Sequence, residues 1–327
     1  MSDAIKLKIV VDDVELTAKQ MENITALAYI DNDDMHSDDL QIITNDASVF
    51  SNKEKIQVAF TDTHWQNSNK TATMNCGTFH IDDKKESDTT GMHIFKAAAI
   101  TAASKVRQDK KSHAWERINL KKLAEDVTKS NGINLIYATE FNPIFSRKEQ
   151  LFESDIKFLS DVCRTVGLSL KFTDNAVVIF SPYEHGKKEV VRTFSKGDAE
   201  IRDDTMHHKK NDTAYGKCCV SYYDPVKKEL IIGEHIASEN GRVLQIRRKV
   251  SSTEEAKTIA MYALREKNSK EYTGYIECDG DISLVTGVAI ELKGWEEFDR
   301  KYIVKKAIHT IKGSTYTTKI FFEMAEV

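Results

Sequence analysis

Apolar and polar residues alternate along much of the first hundred positions, with the two-residue period of a half-buried strand. Residues 5–16 follow this pattern on both sides of the Asp12-Asp13 pair, which predicts a hairpin. Asn- and Asp-rich loops separate further short apolar runs at Ile24–Ile30, Leu40–Ile43, Ile56–Phe60, Cys76–Ile81 and Met92–Ala103. Strands this short and numerous predict a small barrel or sandwich, although Ala97–Ala103 alone also fits a helix.

The period changes to that of a helix near Trp115. One predicted helix begins after Asn119 as its N-cap and ends at Asn131-Gly132, and a second begins after Ser154 and ends at Gly167. The predicted strands are Ile133–Tyr137, Leu168–Phe172 and Ala176–Phe180, the last two forming a hairpin about Asp174-Asn175. This region therefore reads as a compact α/β unit.

Strand-like patterns return after a Lys-rich linker at Lys187-Lys188. The candidates are Lys217–Tyr223, Glu229–His235, Val243–Val250, Tyr272–Cys278, Val288–Leu292, Tyr302–Ile311 and Tyr316–Met324. One helix at about 253–268 interrupts them, with Ser252 as N-cap and Glu255 completing a capping box. The sequence thus predicts an α+β, mostly β chain. Its expected domains are a first β-barrel (1–112), an α/β insert (113–185) and a second β-barrel with one helix (186–327).

Composition and charge argue against several classes of protein. The 327 residues include 47 Lys and Arg against 51 Asp and Glu, a net charge of −4, whereas general nucleic-acid binders are usually basic. The start, Met1 to Lys6, lacks the pattern of a signal peptide, and no apolar run is long enough for a membrane helix. Synthesis in the cytoplasm is therefore expected. The five irregularly spaced cysteines are expected to be free thiols, namely Cys76, Cys163, Cys218, Cys219 and Cys278.

Candidate chemistry is sparse. Phosphate-binding loops, zinc-binding helices and nucleophile elbows have no matching motif. The acidic residues between Asp31 and Asp39 resemble a calcium loop in composition, but Met35 and His36 stand where an EF-hand needs a ligand and a glycine. We expect a solvated loop there, and another at His207-His208-Lys209-Lys210. His309 fits a structural role within a strand. No catalytic, cofactor-binding or metal-binding residue is predicted, and no cofactor is expected.

Two stretches of the sequence carry a family resemblance. Residues 112–120 place Trp115 before a short capped helix, residues 150–159 contain Gln150, a Ser-Asp pair and a Phe-Leu pair, and Val166-Gly167-Leu168 follows. The second stretch contains an Ala-rich helix, Tyr272-Thr273-Gly274, Gly287-Val288, Tyr302-Ile303-Val304, His309 and Tyr316-Thr317-Thr318. Together they resemble the baseplate hub proteins of contractile phage tails, the group that includes late control protein D.

The resemblance implies a structural protein rather than an enzyme. Hub proteins of this family form a homotrimeric ring with two tube-like barrels per chain, which joins a trimeric spike to a hexameric tail tube. The implied partners are other copies of the chain, the spike, the tail tube and other baseplate proteins of a phage tail or phage-tail-like bacteriocin. Secretion-system spikes share the fold but continue into a β-needle. The alternative is a tail component that binds or hydrolyses the cell wall, because the α/β unit also resembles peptidoglycan-binding modules.

Overall fold

The computed structural model describes residues 5–33, 37–65, 70–87, 91–99, 108–173 and 176–325. The chain is mostly β, as the sequence predicts, and five α-helices lie within these ranges. The helices are α1 (Ala18–Glu22), α2 (Leu120–Lys129), α3 (Asp155–Thr165), α4 (Pro182–Lys187) and α5 (Thr253–Ser269). Of the helices in this part of the chain, none is both long and apolar enough to cross a bilayer.

The described strands number 21. Those of the first half are β1 (Ile5–Val11), β2 (Val14–Glu15), β3 (Ile24–Asn32), β4 (Asp39–Thr44), β5 (Lys55–Trp65), β6 (Lys70–Ser87), β7 (Met92–Ala98), β8 (Lys110–Asn119), β9 (Asn134–Ala138), β10 (Ile144–Ser154) and β11 (Ser169–Thr173). Those of the second half are β12 (Ala176–Phe180), β13 (Arg192–Ser195), β14 (Ile201–His208), β15 (Tyr215–Asp224), β16 (Glu229–Ile236), β17 (Arg242–Arg247), β18 (Tyr272–Asp279), β19 (Ala289–Lys293), β20 (Lys301–Lys312) and β21 (Thr315–Met324).

One 13-stranded sheet contains strands from both ends of the chain. Its main path runs β14-β18-β21-β20-β3-β4-β7-β6-β5-β1-β2, with β19 paired to β20 and β13 paired to β19. Within the described ranges neither β region closes into a barrel of its own, because β3 and β20 join the two regions edge to edge. Two apolar cores lie against this sheet, one built around Phe60 and Phe79 and the other around Tyr302 and Phe322.

The middle region folds around its own core. Strands β11, β12 and β9 form a three-stranded sheet in which β9 and β12 are parallel, and β8 pairs antiparallel with β10 as a separate two-stranded sheet. Asn119 and Ser154 accept hydrogen bonds from backbone N–H groups in the first turns of α2 and α3, as predicted. Trp115 stacks on Phe158 with ring centroids 5.1 Å apart, which joins the β8–β10 sheet to α3.

A second small unit corrects the expectation for the C-terminal region. The sequence places Lys217–Tyr223, Glu229–His235 and Val243–Val250 in the second barrel, but β15, β16 and β17 form a separate three-stranded sheet covered on one face by α5. Gly233 permits the close approach, because a Cβ there would lie 2.3 Å from the backbone nitrogen of Lys257 in α5. Alternating apolar residues produce the same strand pattern whether they face a helix or another sheet.

Other sequence expectations differ in detail. Helix α5 begins after Ser252, as predicted, but the Glu255 carboxylate accepts a hydrogen bond from the Ser251 nitrogen, so the predicted capping box is wrong by one residue. Helices α1 and α4 were not predicted because each is shorter than two turns. The calcium-loop positions Met35 and His36, the Asp174-Asn175 turn, residues 100–103 and the Trp65 side chain lie outside the described residues.

Candidate assembly interface

The two β regions repeat one strand-pairing scheme. In the first, the order is β3-β4-β7-β6-β5, and in the second it is β14-β18-β21-β20-β19, with all neighbours antiparallel in both. A sixth strand follows in each region. Strand β1 pairs antiparallel with β5 in the first, whereas β13 pairs parallel with β19 in the second. The chain therefore carries two copies of the same five-stranded arrangement.

The repetition extends to the pairing register. In the strand orders given above, the first strand of each copy has a shift in pairing register at the same place, and so does the fourth strand. These shifts lie at Ile24/Ala26 and Ile201/Asp203, and at Ile81/Asp83 and Val304/Lys306. The two copies can therefore be aligned residue by residue, with β14 equivalent to β3 and β6 equivalent to β20.

The copies meet at the pairing of β3 with β20, which we call the junction. It runs antiparallel from Asn32 opposite Lys306 to Ala26 opposite Lys312. Within the described ranges the equivalent strand segments are unpaired on the corresponding side. Within the described chain β14 pairs only with β18, and β6 beyond His80 pairs only with β7. We call β14 and residues 83–87 of β6 the free edges. Such edges are templates for pairing with another strand.

A buried ion cluster attaches the α/β insert to the junction. The Lys171 ammonium of β11 contacts Asp31 of β3 directly and lies 3.5 Å from the Asp38 carboxylate. Asp31 also accepts hydrogen bonds of 2.8 Å from the backbone nitrogen and the hydroxyl of Thr286. The Tyr29 hydroxyl donates to Asp38 at 3.1 Å. Three regions distant in sequence thus meet at one set of charges.

These contacts correct the expectation of a solvated acidic loop. Asp31, Asp33 and Asp38 are buried, and Asp33 pairs with Lys305. Burial raises the pKa of Asp38 to about 7 against the opposing pull of Lys171. Burial also disfavours the charge on Lys171, but Asp31 and Asp38 outweigh that effect and raise its pKa. The cluster holds a charged lysine between two carboxyl groups, and removing the lysine would leave them buried without a cation.

His309 of β20 is buried and lies opposite Tyr29 of β3 at the junction. Its Nε2 lies 3.1 Å from the carbonyl oxygen of Leu284, so this nitrogen carries the proton, and the Tyr316 hydroxyl donates to Nδ1 at 2.8 Å. Burial lowers the pKa of His309 to about 4, so the ring is neutral near pH 7. The Tyr29 ring stacks on it with centroids 5.9 Å apart. These contacts give His309 the structural role that the sequence favours.

The cationic run is only partly the loop that was expected. His207 and His208 belong to the free edge β14, while Lys209 and Lys210 follow it as exposed residues. His208 stacks on Tyr272 and lies within 3.3 Å of the Glu271 carboxylate and 3.1 Å of the Glu297 carboxylate. All five cysteines are free thiols, and no group of three or more metal-binding side chains occurs among the described residues.

Sequence reasoning missed both the repeated pairing and the role of Lys171. The one visible signal for Lys171 is a lysine inside the otherwise apolar end of its strand, between Leu170 and Phe172. A charge at such a position requires a buried partner. The partner lies 140 positions away on β3, where local patterns give no indication of it.

Comparison with known proteins identifies the fold. No protein-family model matches the sequence, and no curated protein matches it. Among solved structures, a tail protein from Neisseria meningitidis MC58 has a TM-score of 0.75 at 11% identity, covering 98% of this chain and 96% of that one. The 43 kDa tail protein of prophage MuSo2 from Shewanella oneidensis has a TM-score of 0.71 at 12% identity, covering 98% of both chains.

A component of the Escherichia coli type VI secretion system, c3393, is also similar, with a TM-score of 0.56 at 11% identity over 98% of this chain and 77% of that one. That protein is described as structurally similar to the T4 bacteriophage tail proteins gp27 and gp5. The resemblance inferred from the sequence is therefore confirmed at the level of the fold, and this chain has the fold of phage tail proteins.

Proposed function

We propose that the protein is the structural hub of a contractile-tail baseplate, a ring of three copies that joins a trimeric spike to a hexameric tail tube. The observation that carries this proposal is the duplicated strand arrangement, since three chains with two copies each present six similar modules. Both a three-fold and a six-fold partner can then meet one ring. In this proposal the repeats are the tube-like modules on either side of the α/β insert, and the protein is not an enzyme.

In the proposed ring, neighbouring copies pair with each other as β3 pairs with β20 at the junction. If β14 of one chain pairs with β6 of the next as β3 pairs with β20, the irregularities fix the register. In that register Asp83 lies opposite Lys209, Lys84 opposite His208, and Lys85 opposite His207. The contact is heterologous, because each chain contributes a different edge to each neighbour, and such contacts form rings when the rotation closes.

The proposed partners follow from this arrangement. The chain would bind other copies of itself through the free edges, and the spike, the tail tube and other baseplate proteins through the two ends of the ring. It would be made in the bacterial cytoplasm and assembled into a phage tail or phage-tail-like particle. The fold shared with phage tail proteins and with a type VI secretion component supports this setting.

A pair of cysteines tests the register directly. Residues directly opposite in antiparallel strands have Cα atoms about 4.5–5.5 Å apart, which suits a disulfide. We expect the double variant Lys85→Cys, His207→Cys to form covalent dimers and trimers on mild oxidation of concentrated protein, read on non-reducing gels.

Two controls accompany this experiment. Each single cysteine variant measures the background from the native thiols, and Lys85→Cys with Thr205→Cys places the second thiol two residues out of register. A trimer by sedimentation that links through neither pair would contradict the proposed edge contact. The ring itself would be contradicted if the chain remains monomeric at every concentration and the introduced cysteines form no disulfide in assembled tail particles.

A further inference from the structure

Strand β10 of the α/β insert presents two exposed apolar residues at its pairing irregularity, and the surrounding buried residues hold this part of the strand in place. Gln150 is buried, and its side-chain amide donates to the Glu153 carbonyl at 2.9 Å and to the Asp155 carboxylate at 2.8 Å. Asp155, also buried, further accepts from Asn131 at 2.8 Å and contacts Lys111. These bonds close a loop across the irregularity in β10 and hold its ends together.

The residues between these anchors are turned outward. Leu151 is 70% exposed and Phe152 is 75% exposed. Phe152 has a φ of +52°, in the left-handed region that bulky residues avoid. Backbone strain of this kind persists only where surrounding structure enforces it, and it concentrates at functional positions. We call Leu151–Phe152 the apolar turn. Its conformation costs energy and exposes apolar surface, which is the signature of a contact site rather than of a core.

A second exposed apolar surface lies on the small unit. Helix α5 covers one face of the β15–β17 sheet, and we call the opposite face the outer face. Its exposed apolar residues are Tyr223, Leu230, Ile232, Ile236 and Val243. The pairing register places Tyr223 opposite Leu230 and Lys217 between Ile236 and Val243. Tyr223, Leu230 and Ile232 therefore form one apolar group on adjacent strands, which the Lys217–Glu234 ion pair separates from Ile236 and Val243.

The chain segments that lead to these two surfaces begin on opposite sides of the proposed edge contact. The small unit begins at Tyr215, seven residues after β14 ends. The β8–β10 sheet begins at Lys110, after β7, which is the neighbour of β6 in the large sheet. In the proposed register His208 of one chain lies opposite Lys84 of the next, and the end of β7 lies beside β6 at His80. The segment that follows β14 in one chain and the segment that follows β7 in the next therefore begin at the same end of the edge contact.

We propose that the apolar turn of one copy docks on the outer face of the β15–β17 sheet of the neighbouring copy. This inference rests on the proposed ring, because the ring brings the two surfaces together. It gives each subunit contact a second, apolar component beside the edge pairing. A heterologous ring needs two different complementary surfaces on each chain, and the apolar turn and the outer face supply such a pair.

The experiment places a photoreactive residue in the turn. The oxidised Lys85→Cys, His207→Cys trimer is prepared with p-benzoylphenylalanine at position 152, from a mixture of isotopically light and heavy chains, and irradiated. Mass spectrometry of the cross-linked peptides then identifies the acceptor. We expect acceptor peptides within residues 217–247, joined between a light and a heavy chain.

Variants measure the contribution to assembly. Phe152→Ser and Ile232→Ser should each raise the trimer dissociation constant by about tenfold, and the double variant should cost little more than either alone because both remove one contact. Val14→Ser removes an exposed valine on β2, away from both surfaces, and should leave the constant unchanged. Circular dichroism melts of the monomers confirm that the variants fold.

Each outcome is decisive. A disulfide-linked trimer whose photoproducts lie only within one chain, or are absent, would overturn the docking while leaving the ring intact. Photoproducts on a different tail protein, obtained in assembled particles, would overturn it in favour of that partner. If the cysteine pair forms no disulfide, the ring register fails. A light-to-heavy photoproduct on residues 217–247 in concentrated protein would then support the docking on its own.

Discussion

Lys171 is the residue on which the attachment of the insert depends. Its ammonium lies between Asp31 and Asp38, both of which are almost fully buried. We predict that Lys171→Met lowers the free energy of unfolding by about 3–5 kcal/mol, because it leaves two carboxyl groups buried without a cation. Urea denaturation followed by circular dichroism measures the loss.

Lys157→Met is the matched control. Lys157 also contacts two carboxylates, those of Glu153 and Asp161, but its side chain is 58% exposed. Exposed pairs contribute about 0–1 kcal/mol, so this variant should remain close to wild type. Equal losses in the two variants would show that the buried cluster does not hold the insert in place.

Individual residues could be predicted from the sequence only where the determining contact is local. Asn119 and Ser154 were identified as helix caps because a cap bonds to residues two or three positions away. The burial of Asp31 was missed because its partners, Lys171 and Thr286, are distant in sequence. An Asp-rich segment looks the same whether it faces water or a buried lysine.

At the scale of elements, two glycines that end helices of the insert share one backbone conformation but differ in the space around them. Gly132 and Gly167 have φ values of +68° and +71°. A Cβ on Gly132 would meet nothing within 4 Å, whereas one on Gly167 would lie 2.0 Å from the ring of Tyr262 in α5. Gly132→Ala should therefore cost about 1 kcal/mol for the left-handed backbone alone.

Gly167→Ala should cost a further 1–3 kcal/mol, roughly, because the insert and α5 must move apart or distort. Thermal melts of both variants give the difference. Closely similar melting temperatures would mean that α5 does not pack against the insert at Gly167.

The elements themselves were largely predictable, but their partners were not. The helix near 253–268 and the hairpin of β11 with β12 are where periodicity places them. Assigning β15 to β17 to a second barrel was wrong, because an alternating strand shows that one face is buried without showing what covers it. Short helices such as α4, which has Pro182 at its first turn, carry too few residues for a period to emerge.

At the scale of the whole molecule, the duplicated arrangement was invisible in the sequence. The sequence indicated two β-rich regions, yet not that they share one order and one register. Equivalent positions carry unrelated residues, such as Ala26, which pairs with Lys312 at the junction, and Asp203, which lies on an exposed edge. Strand pairing is made by backbone hydrogen bonds, so two regions with different side chains can adopt the same arrangement.

Electron microscopy of tails assembled without this protein tests the central claim most directly. If the chain is the hub of the ring, bacteria that lack it should produce no complete tails, and adding the purified protein to the extract should restore them. Lys85→Glu combined with His207→Glu should fail to restore them, since it sets like charges on the two edges that must pair. Intact tails that form in the absence of the protein would contradict the account.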